Sequence, residues 1–438
     1  MRLLHTSDWH LGQTFHHYDR TAEHQRFLDW LLDTLDAEDT ELLLIAGDVF
    51  DNANPSAASQ RQLYRFITEA RRRRPALAIV MIAGNHDSPA RMEAPAPFLD
   101  GLGVCCIGQV TRLGDGAIDI GRLVTPVHGA DGEVRAWCLA IPFLRPGDVP
   151  RPALPEGGSA QADAEVAPLD TDPYRAGVAA LYRAALDEAL RRRAPDQPVV
   201  ALGHCHMRGG EASEDSERRI VVGGAEALPP GIFDPAIAYV ALGHLHKAQR
   251  VGGQEHIRYS GSPLPMSFSE IHYRHQVLSG TIEGDRLQEI RAVPVPRWVP
   301  LLRVPEQPAP LDDALAALQG LSVPAPAGQE AMAEDLQPYL QVRVRLDGPE
   351  PALRSRIEQA LADKPVRLAR IEVSAAASGN DATAPLLSLD DLNRVDPAAL
   401  FSSLYRSRHG GEAPPALLAA LHELLHDDED DTSGVEAA

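Results

Sequence analysis

Short apolar runs rich in Leu, Ile and Val recur through the first 250 residues, separated by longer stretches whose apolar residues return every three or four positions. The runs at 3–5, 42–46, 78–83, 199–202 and 239–242 have the length and composition of buried strands. Residues 21–35 and 56–73 carry helical periodicity, the second ended by Pro75. Strands that alternate with helices predict an α/β domain with covered sheets. The segment 146–173, rich in Pro, Gly, Ala and Asp, reads as a surface loop.

After residue 300 the pattern changes. Strand-like 301–304, helical 311–318, alternating 341–346, helical 352–361 and strand-like 366–373 predict a small α+β domain. Low-complexity sequence follows, then two apolar helical patterns at 389–405 and 415–426 joined by Gly410-Gly411. The expected organisation is therefore a first domain at 1–298, a second at 299–375, a linker at 376–385, a helix-loop-helix at 386–427 and an acidic tail at 428–438. Two short helices on a leash cannot bury both apolar faces alone, so 386–427 reads as a docking element for a partner helix.

Each of the five strands in the first domain runs into a polar cluster: Asp8-Trp9-His10, Gly47-Asp48-Val49-Phe50-Asp51, Gly84-Asn85-His86-Asp87, Gly203-His204-Cys205-His206 and Gly243-His244-Leu245-His246. Ligands of open α/β sheets collect beyond the carboxyl ends of strands, so the five can converge on one crevice. In an extended segment, i and i+2 point the same way, which presents Asp8 with His10, and His244 with His246, as pairs. The glycine that opens four of the clusters permits a tight exit and close backbone approach to an ion or phosphate. Mixed Asp, His and Asn donors suit Mn²⁺, Fe²⁺ or Zn²⁺ better than an all-oxygen cage for Mg²⁺ or Ca²⁺. Alone, D-x-H or G-D is common in ordinary loops. The weight lies in all five clusters, in order, each behind a strand.

Composition narrows the partners. At 438 residues and 44% apolar the chain predicts two or three globular domains. The net charge is −21, with 30 basic and 39 acidic residues in 1–300 and 11 and 23 in 301–438. That balance argues against non-specific nucleic-acid binding and requires a local basic patch or a partner. Cys105, Cys106, Cys138 and Cys205 form no CxxC pair, which predicts free thiols in a reducing cytoplasm. No apolar stretch approaches the length of a membrane span, and the N-terminus shows no signal-peptide core, so a soluble cytoplasmic protein is expected. A P-loop G-x-x-x-x-G-K-[ST] is absent, so any ATP dependence comes from another chain.

D-x-H, GDxxD, GNHD, GH and GHxH in this order resemble the calcineurin-like metallophosphoesterase superfamily. The opening RLLHTSDWHLG, the GDVFDNANPS segment and ALGHLHKAQ followed by YSGSP are similar to its SbcD nuclease family. The similarity covers most of 1–300 and, more weakly, the C-terminal helix pair. It implies two packed β-sheets flanked by helices, an α/β/β/α sandwich, followed by a small α+β capping domain and the C-terminal helix-loop-helix. It also implies two divalent ions, Mn²⁺ foremost with Mg²⁺, Fe²⁺ or Zn²⁺ as alternatives. One ion falls to Asp8, His10, Asp48 and His246, the other to Asp48, Asn85, His204 and His244, with Asp48 bridging. His86 matches a catalytic histidine placed to assist the leaving 3′-oxygen, and Asp51 is expected to orient its imidazole through the carboxylate. His206 departs from the pattern and stays outside the ligand set. Arg20, Arg91 and Lys247 are candidates for phosphate contact.

The activity so implied is a DNA nuclease, a 3′–5′ double-strand exonuclease and single-strand or hairpin endonuclease. It serves repair and recombination with an SbcC-type coiled-coil ATPase, as a homodimer within a heterotetramer. A stand-alone phosphomonoesterase or cyclic-nucleotide phosphodiesterase is the rival reading, and leaves the last 140 residues unexplained. A binding scaffold with a decayed site conflicts with an intact ligand at every matched position.

Overall fold

A computed structural model of the chain describes residues 1–150, 172–213, 227–323, 333–346, 348, 350–375, 414 and 417. Residues 1–375 form one compact unit and 376–438 another. The linker, the helix-loop-helix apart from 414 and 417, the acidic tail and most of the 146–173 loop lie outside the described residues.

In chain order the strands are β1 (Arg2–Thr6), β2 (Thr14–Phe15), β3 (Tyr18–Asp19), β4 (Leu42–Ala46), β5 (Ala78–Ile82), β6 (Val104–Ile107), β7 (Val124–His128), β8 (Val134–Ala140), β9 (Val199–His204), β10 (Ile237–Gly243), β11 (Gln249–Val251), β12 (Gln254–Tyr259), β13 (Gln276–Glu283), β14 (Arg286–Pro294), β15 (Leu301–Pro310), β16 (Tyr339–Leu346) and β17 (Arg367–Ala375). The helices are α1 (Thr21–Ala37), α2 (Ala57–Arg73), α3 (Pro89–Glu93), α4 (Ala96–Asp100), α5 (Ile120–Leu123), α6 (Pro173–Arg192), α7 (Leu311–Gln319) and α8 (Leu353–Ala360). One sheet runs β14-β13-β1-β4-β5-β6 and a second β11-β12-β10-β9-β8-β7. β1, β4, β5 and β6 are mutually parallel, as are β8, β9, β10 and β12.

The period of two within an all-apolar strand divides its side chains between two layers. Leu42, Leu44 and Ala46 of β4 join Leu3, Val80 and Ile82 in a core shared with Val200, Leu202, Val240 and Leu242 of the second sheet. Leu43 and Ile45 point the other way, with Leu4, Ile79 and Met81, onto Phe27 and Leu31 of α1 and Phe66 of α2. Val178, Leu181 and Ala185 of α6 cover the second sheet. The result is the α/β/β/α sandwich, with the sheets packed face to face and helices outside. α2 starts where Ser56 Oγ accepts the Ser59 N–H at 3.1 Å and ends at Arg74 before Pro75.

β15, β16 and β17 form a third sheet joined by α7 and α8, around Leu318, Leu340, Val342, Val344 and Ile357. Its strands are all parallel, so this module is a βαβαβ unit, α/β in place of the α+β arrangement expected. It is joined to the sandwich by a buried cluster of Phe15, Phe268, Val299, Leu301 and Tyr339.

Candidate metal centre

β1 and β4 leave their sheet side by side, and their pairing continues into the loops. The Asp8 N–H donates to Gly47 O at 3.0 Å, His10 N–H to Asp48 O at 3.0 Å and Leu11 N–H to Val49 O at 2.9 Å. Turning the side chains toward one point strains the backbone. Asp8, His10, Asp48 and His244 have φ of 54°, 47°, 46° and 103°, four of the six non-glycine residues with positive φ among those described. Such conformations cost on the order of 1–3 kcal/mol each and persist only where the surroundings over-determine them. Gly47, at φ 88°, and Gly84 are the close approaches: a Cβ on Gly47 would collide with His204 Nδ1, and one on Gly84 with the Asp48 carboxylate and amide.

The donors converge in three overlapping groups. Atoms of Asp8, His10 and His246 all lie within 4.8 Å of one another, as do those of Asp8, Asp48 and His204 and those of His10, Asp48 and His86. Asn85 Oδ1 stands 2.9 Å from His204 Nε2 and 3.2 Å from His244 Nδ1. Asp48 Oδ2 lies between the groups, 3.7 Å from His10 Nε2 and 3.4 Å from His204 Nε2. The backbone fixes both aspartates: His244 N–H donates to Asp8 Oδ1 at 2.9 Å, and His86 N–H to Asp48 Oδ1 at 2.9 Å.

Two observations fit this set to cations. First, His10 Nε2 is buried with no hydrogen-bond partner among the described residues, an arrangement that costs about 1–3 kcal/mol unless an ion takes the lone pair. Second, both nitrogens of His204 face oxygens, Ala46 O at 2.9 Å and Asn85 Oδ1 at 2.9 Å, so Nε2 and Oδ1 are two facing acceptors unless the ring is an imidazolium or a cation lies between them. Burial works against that charge, but Asp48, Asp8 and the Ala46 carbonyl outweigh it and raise the His204 pKa to about 9. Burial likewise opposes ionisation of Asp48, but His204, His10 and His86 hold its carboxyl well below the usual carboxylate range. Asp8 is pushed up, chiefly by burial, and His244 down, by burial and then by His204. The carboxylates thus favour a positive charge at this point, and the Asp, His and Asn donors match a divalent metal.

His86 adjoins this cluster, its ring centroid 4.8 Å from that of His10. Its Nδ1 lies 2.7 Å from Asp51 O, a main-chain carbonyl, so Nδ1 carries the proton. The Asp51 carboxylate instead stands 3.4 Å from His10 Nδ1. The expected carboxylate pairing of Asp51 with His86 is therefore corrected: backbone orients His86, and the side chain orients His10. His206 is half-buried, its ring 6.3 Å from that of His244. Arg20 is not a phosphate contact: it is buried, paired with Glu23 at 2.7 Å and donating to Pro265 O at 2.8 Å. Lys247 stays partly exposed, in an ion pair with Glu211.

Residues 1–248 match the calcineurin-like phosphoesterase family, and residues 297–409 match the family described as the type 5 capsule protein repressor C-terminal domain, SbcD_C. The SbcD component of the SbcCD nuclease from Rhodobacter capsulatus is 41% identical over 409 residues, 92% of this chain and 94% of the relative. The chain belongs to the SbcD nuclease family of calcineurin-like phosphoesterases. The SbcD components of the SbcCD nucleases of Escherichia coli K12 and Bacillus subtilis are 35% and 34% identical, over 69% and 63% of this chain and 70% and 65% of theirs.

Two buried carboxylates that were given no role from the sequence, Asp87 and Glu270, complete this SbcD-type centre. Asp87 accepts from Gly84 N–H at 2.8 Å, Phe50 N–H at 2.9 Å and Val49 N–H at 3.1 Å, which locks the loop of Asn85 and His86 to the loop of Asp48. Glu270 Oε1 lies 3.0 Å from His246 Nδ1. Asp87 stood in the GNHD motif and was visible as a polar residue beside a ligand. Glu270, 24 positions beyond His246, carries no spacing signal.

Proposed function

We propose that the chain is the nuclease component of an SbcC–SbcD-type complex and hydrolyses DNA phosphodiester bonds with two divalent ions, Mn²⁺ foremost. On this reading it acts as a 3′–5′ double-strand exonuclease and a single-strand or hairpin endonuclease in DNA end processing. The observation that carries the two-ion reading is the position of Asp48 Oδ2, within 3.7 Å of His10 on one side and 3.4 Å of His204 on the other. Asp8, His10, Asp48 and His246 would hold one ion, and Asp48, Asn85, His204 and His244 the second. When bound, such a pair supplies charge neutralisation and an activated water for in-line displacement at phosphorus.

The chain's own residues do the rest. Asp51 O fixes the Nδ1–H of His86, which directs Nε2 away from that carbonyl. In the imidazolium form Nε2 can deliver a proton to the departing 3′-oxygen. Asp87 keeps His86 and Asp48 in register by holding both loops on one carboxylate. With a net charge of −21, the chain meets DNA through local cations such as Arg91 and Lys247, and recognition follows backbone and ends in place of base sequence.

A stand-alone phosphomonoesterase or cyclic-nucleotide phosphodiesterase is disfavoured by the match at 297–409, which lies outside the phosphoesterase domain. The helix-loop-helix expected from the sequence at 386–427 is assigned to an SbcC-type coiled-coil ATPase, the nuclease forming a homodimer within a heterotetramer in the cytoplasm. Among the described residues no helix is long and apolar enough to cross a membrane. Mn²⁺-dependent cleavage of linear duplex DNA, set against turnover of a small aryl phosphodiester, tests the activity. Turnover of the small ester with intact DNA overturns it. Copurification of a large coiled-coil ATPase, lost on deleting 386–438, tests the partner.

A further inference from the structure

His246 presents one ring nitrogen to the other ligands and the second to a carboxylate from a distant turn. Glu270 Oε1 stands 3.0 Å from His246 Nδ1, and Oε2 accepts the Met266 N–H at 2.9 Å. Both side chains are buried, Glu270 at 0% and His246 at 4% exposure. A neutral imidazole that faces a carboxylate through Nδ1 carries its proton there, which leaves the Nε2 lone pair for the group with Asp8 and His10.

The turn that carries Glu270 is a single 3-10 turn, Phe268–Glu270, and the C-terminal module grips it two residues away. Phe268 is 1% exposed and sits in the cluster that joins the module to the sandwich. Its ring meets Phe15 edge-on at 5.2 Å, and Phe15 stacks on Tyr339 of β16 at 4.4 Å. Arg303 of β15 donates through Nη2 to Phe268 O at 3.0 Å and through Nε to Gln341 Oε1 of β16 at 2.8 Å. The backbone bearing Glu270 is thus held by two strands of a module that contributes no ligand.

We propose that Glu270 is a positioning residue for the ion centre, acting through His246, and that the β15–β17 module sets its place by clamping the Phe268–Glu270 turn. This rests on the two-ion reading above. Its consequence is that displacing the module changes ion affinity without touching a ligand.

The test uses the full chain, with Mn²⁺ binding by calorimetry and the visible spectrum of bound Co²⁺ as readouts. Wild type should take up two ions. In Glu270→Gln an amide group competes for the face of His246 Nδ1, and one site should weaken by about 10–100-fold, the usual loss for such partners, with a shifted Co²⁺ band. Arg303→Ala, which removes no ligand, should weaken the same site by a smaller factor and shift the same band. Should Glu270→Gln fail to fold, Arg303→Ala alone decides. Unchanged affinity and spectrum in a folded Glu270→Gln overturn the positioning role, and an unchanged Arg303→Ala overturns the clamp. A wild type that binds fewer than two ions overturns the two-ion reading itself, a separate outcome.

Discussion

Removing the Asp87 carboxylate should loosen the centre and the fold together, since one buried group holds both of the loops that bear Asp48, Asn85 and His86. Asp87 is 1% exposed and accepts three backbone N–H groups, at 2.8, 2.9 and 3.1 Å. Hydrogen bonds to a charged acceptor contribute about 1.5–3 kcal/mol each, and a buried donor left unpaired costs about 1–3 kcal/mol. The sum is reduced because burial, and then Asp48, raise the Asp87 carboxyl to about 6, so that ionisation above that pH works against the fold. Neighbouring bonds also fail to add. For Asp87→Ala we expect a net loss of about 3–4 kcal/mol, a large part of the 5–15 kcal/mol typical of a domain. Asp87→Asn retains one acceptor but turns an NH₂ toward the remaining donors, and should lose about half as much. Urea unfolding of the metal-free chain near neutral pH measures both, with Mn²⁺ affinity as the second readout. An Ala variant within about 1 kcal/mol of wild type, with unaltered ion binding, would refute the assignment of Asp87 as the tie between the loops.

His86→Gln should reduce DNA cleavage by about 10²–10⁴-fold, the range for loss of a general acid, while Mn²⁺ stoichiometry stays unchanged. Retained cleavage removes His86 from the proton transfer. His204, raised from 6.5 to about 9, keeps a proton at neutral pH that an ion must displace. Its raised value stabilises the metal-free fold fully below about 6.5, and that contribution is lost as pH rises through about 9. Mn²⁺ uptake near pH 7.5 should therefore release a proton into a weakly buffered solution, and affinity should climb toward pH 9; uptake without release contradicts this. Gly84→Ala drives a methyl against the Asp48 carboxylate and amide, and should destabilise by more than about 2 kcal/mol in thermal unfolding, with Mn²⁺ binding lost; a variant of wild-type stability and affinity would show that the loop yields.

What could be read from the residues was local, and what could not depended on chain segments meeting in space. The apolar run 42–46 became β4 at those limits because each of its residues is buried on one side or the other of a covered sheet. The five polar clusters emerged beyond parallel strands because β1, β4, β5, β9 and β10 all deliver their carboxyl ends to one edge. Helix α2 followed from its helical period and Pro75 as stop, and Ser56 proved to be its cap. Asp51 and His86 were rightly placed together, but a motif cannot tell a side-chain acceptor from a main-chain one, and the carbonyl at 2.7 Å proved to be the partner. Arg20 was a candidate for phosphate contact, yet Glu23, one turn on, and Pro265, 245 positions away, enclose it. The parallel order of β15–β17 was hidden because 341–346 alternates like an exposed antiparallel strand, while its polar members Gln341 and Arg343 in fact pair with Glu372 of β17 at 2.7 and 3.1 Å. Glu270 was the least visible of all, since its meaning is given wholly by the histidine it faces. The ligands are thus written in motifs, whereas the groups that set their tautomer, charge and strain are supplied by the fold.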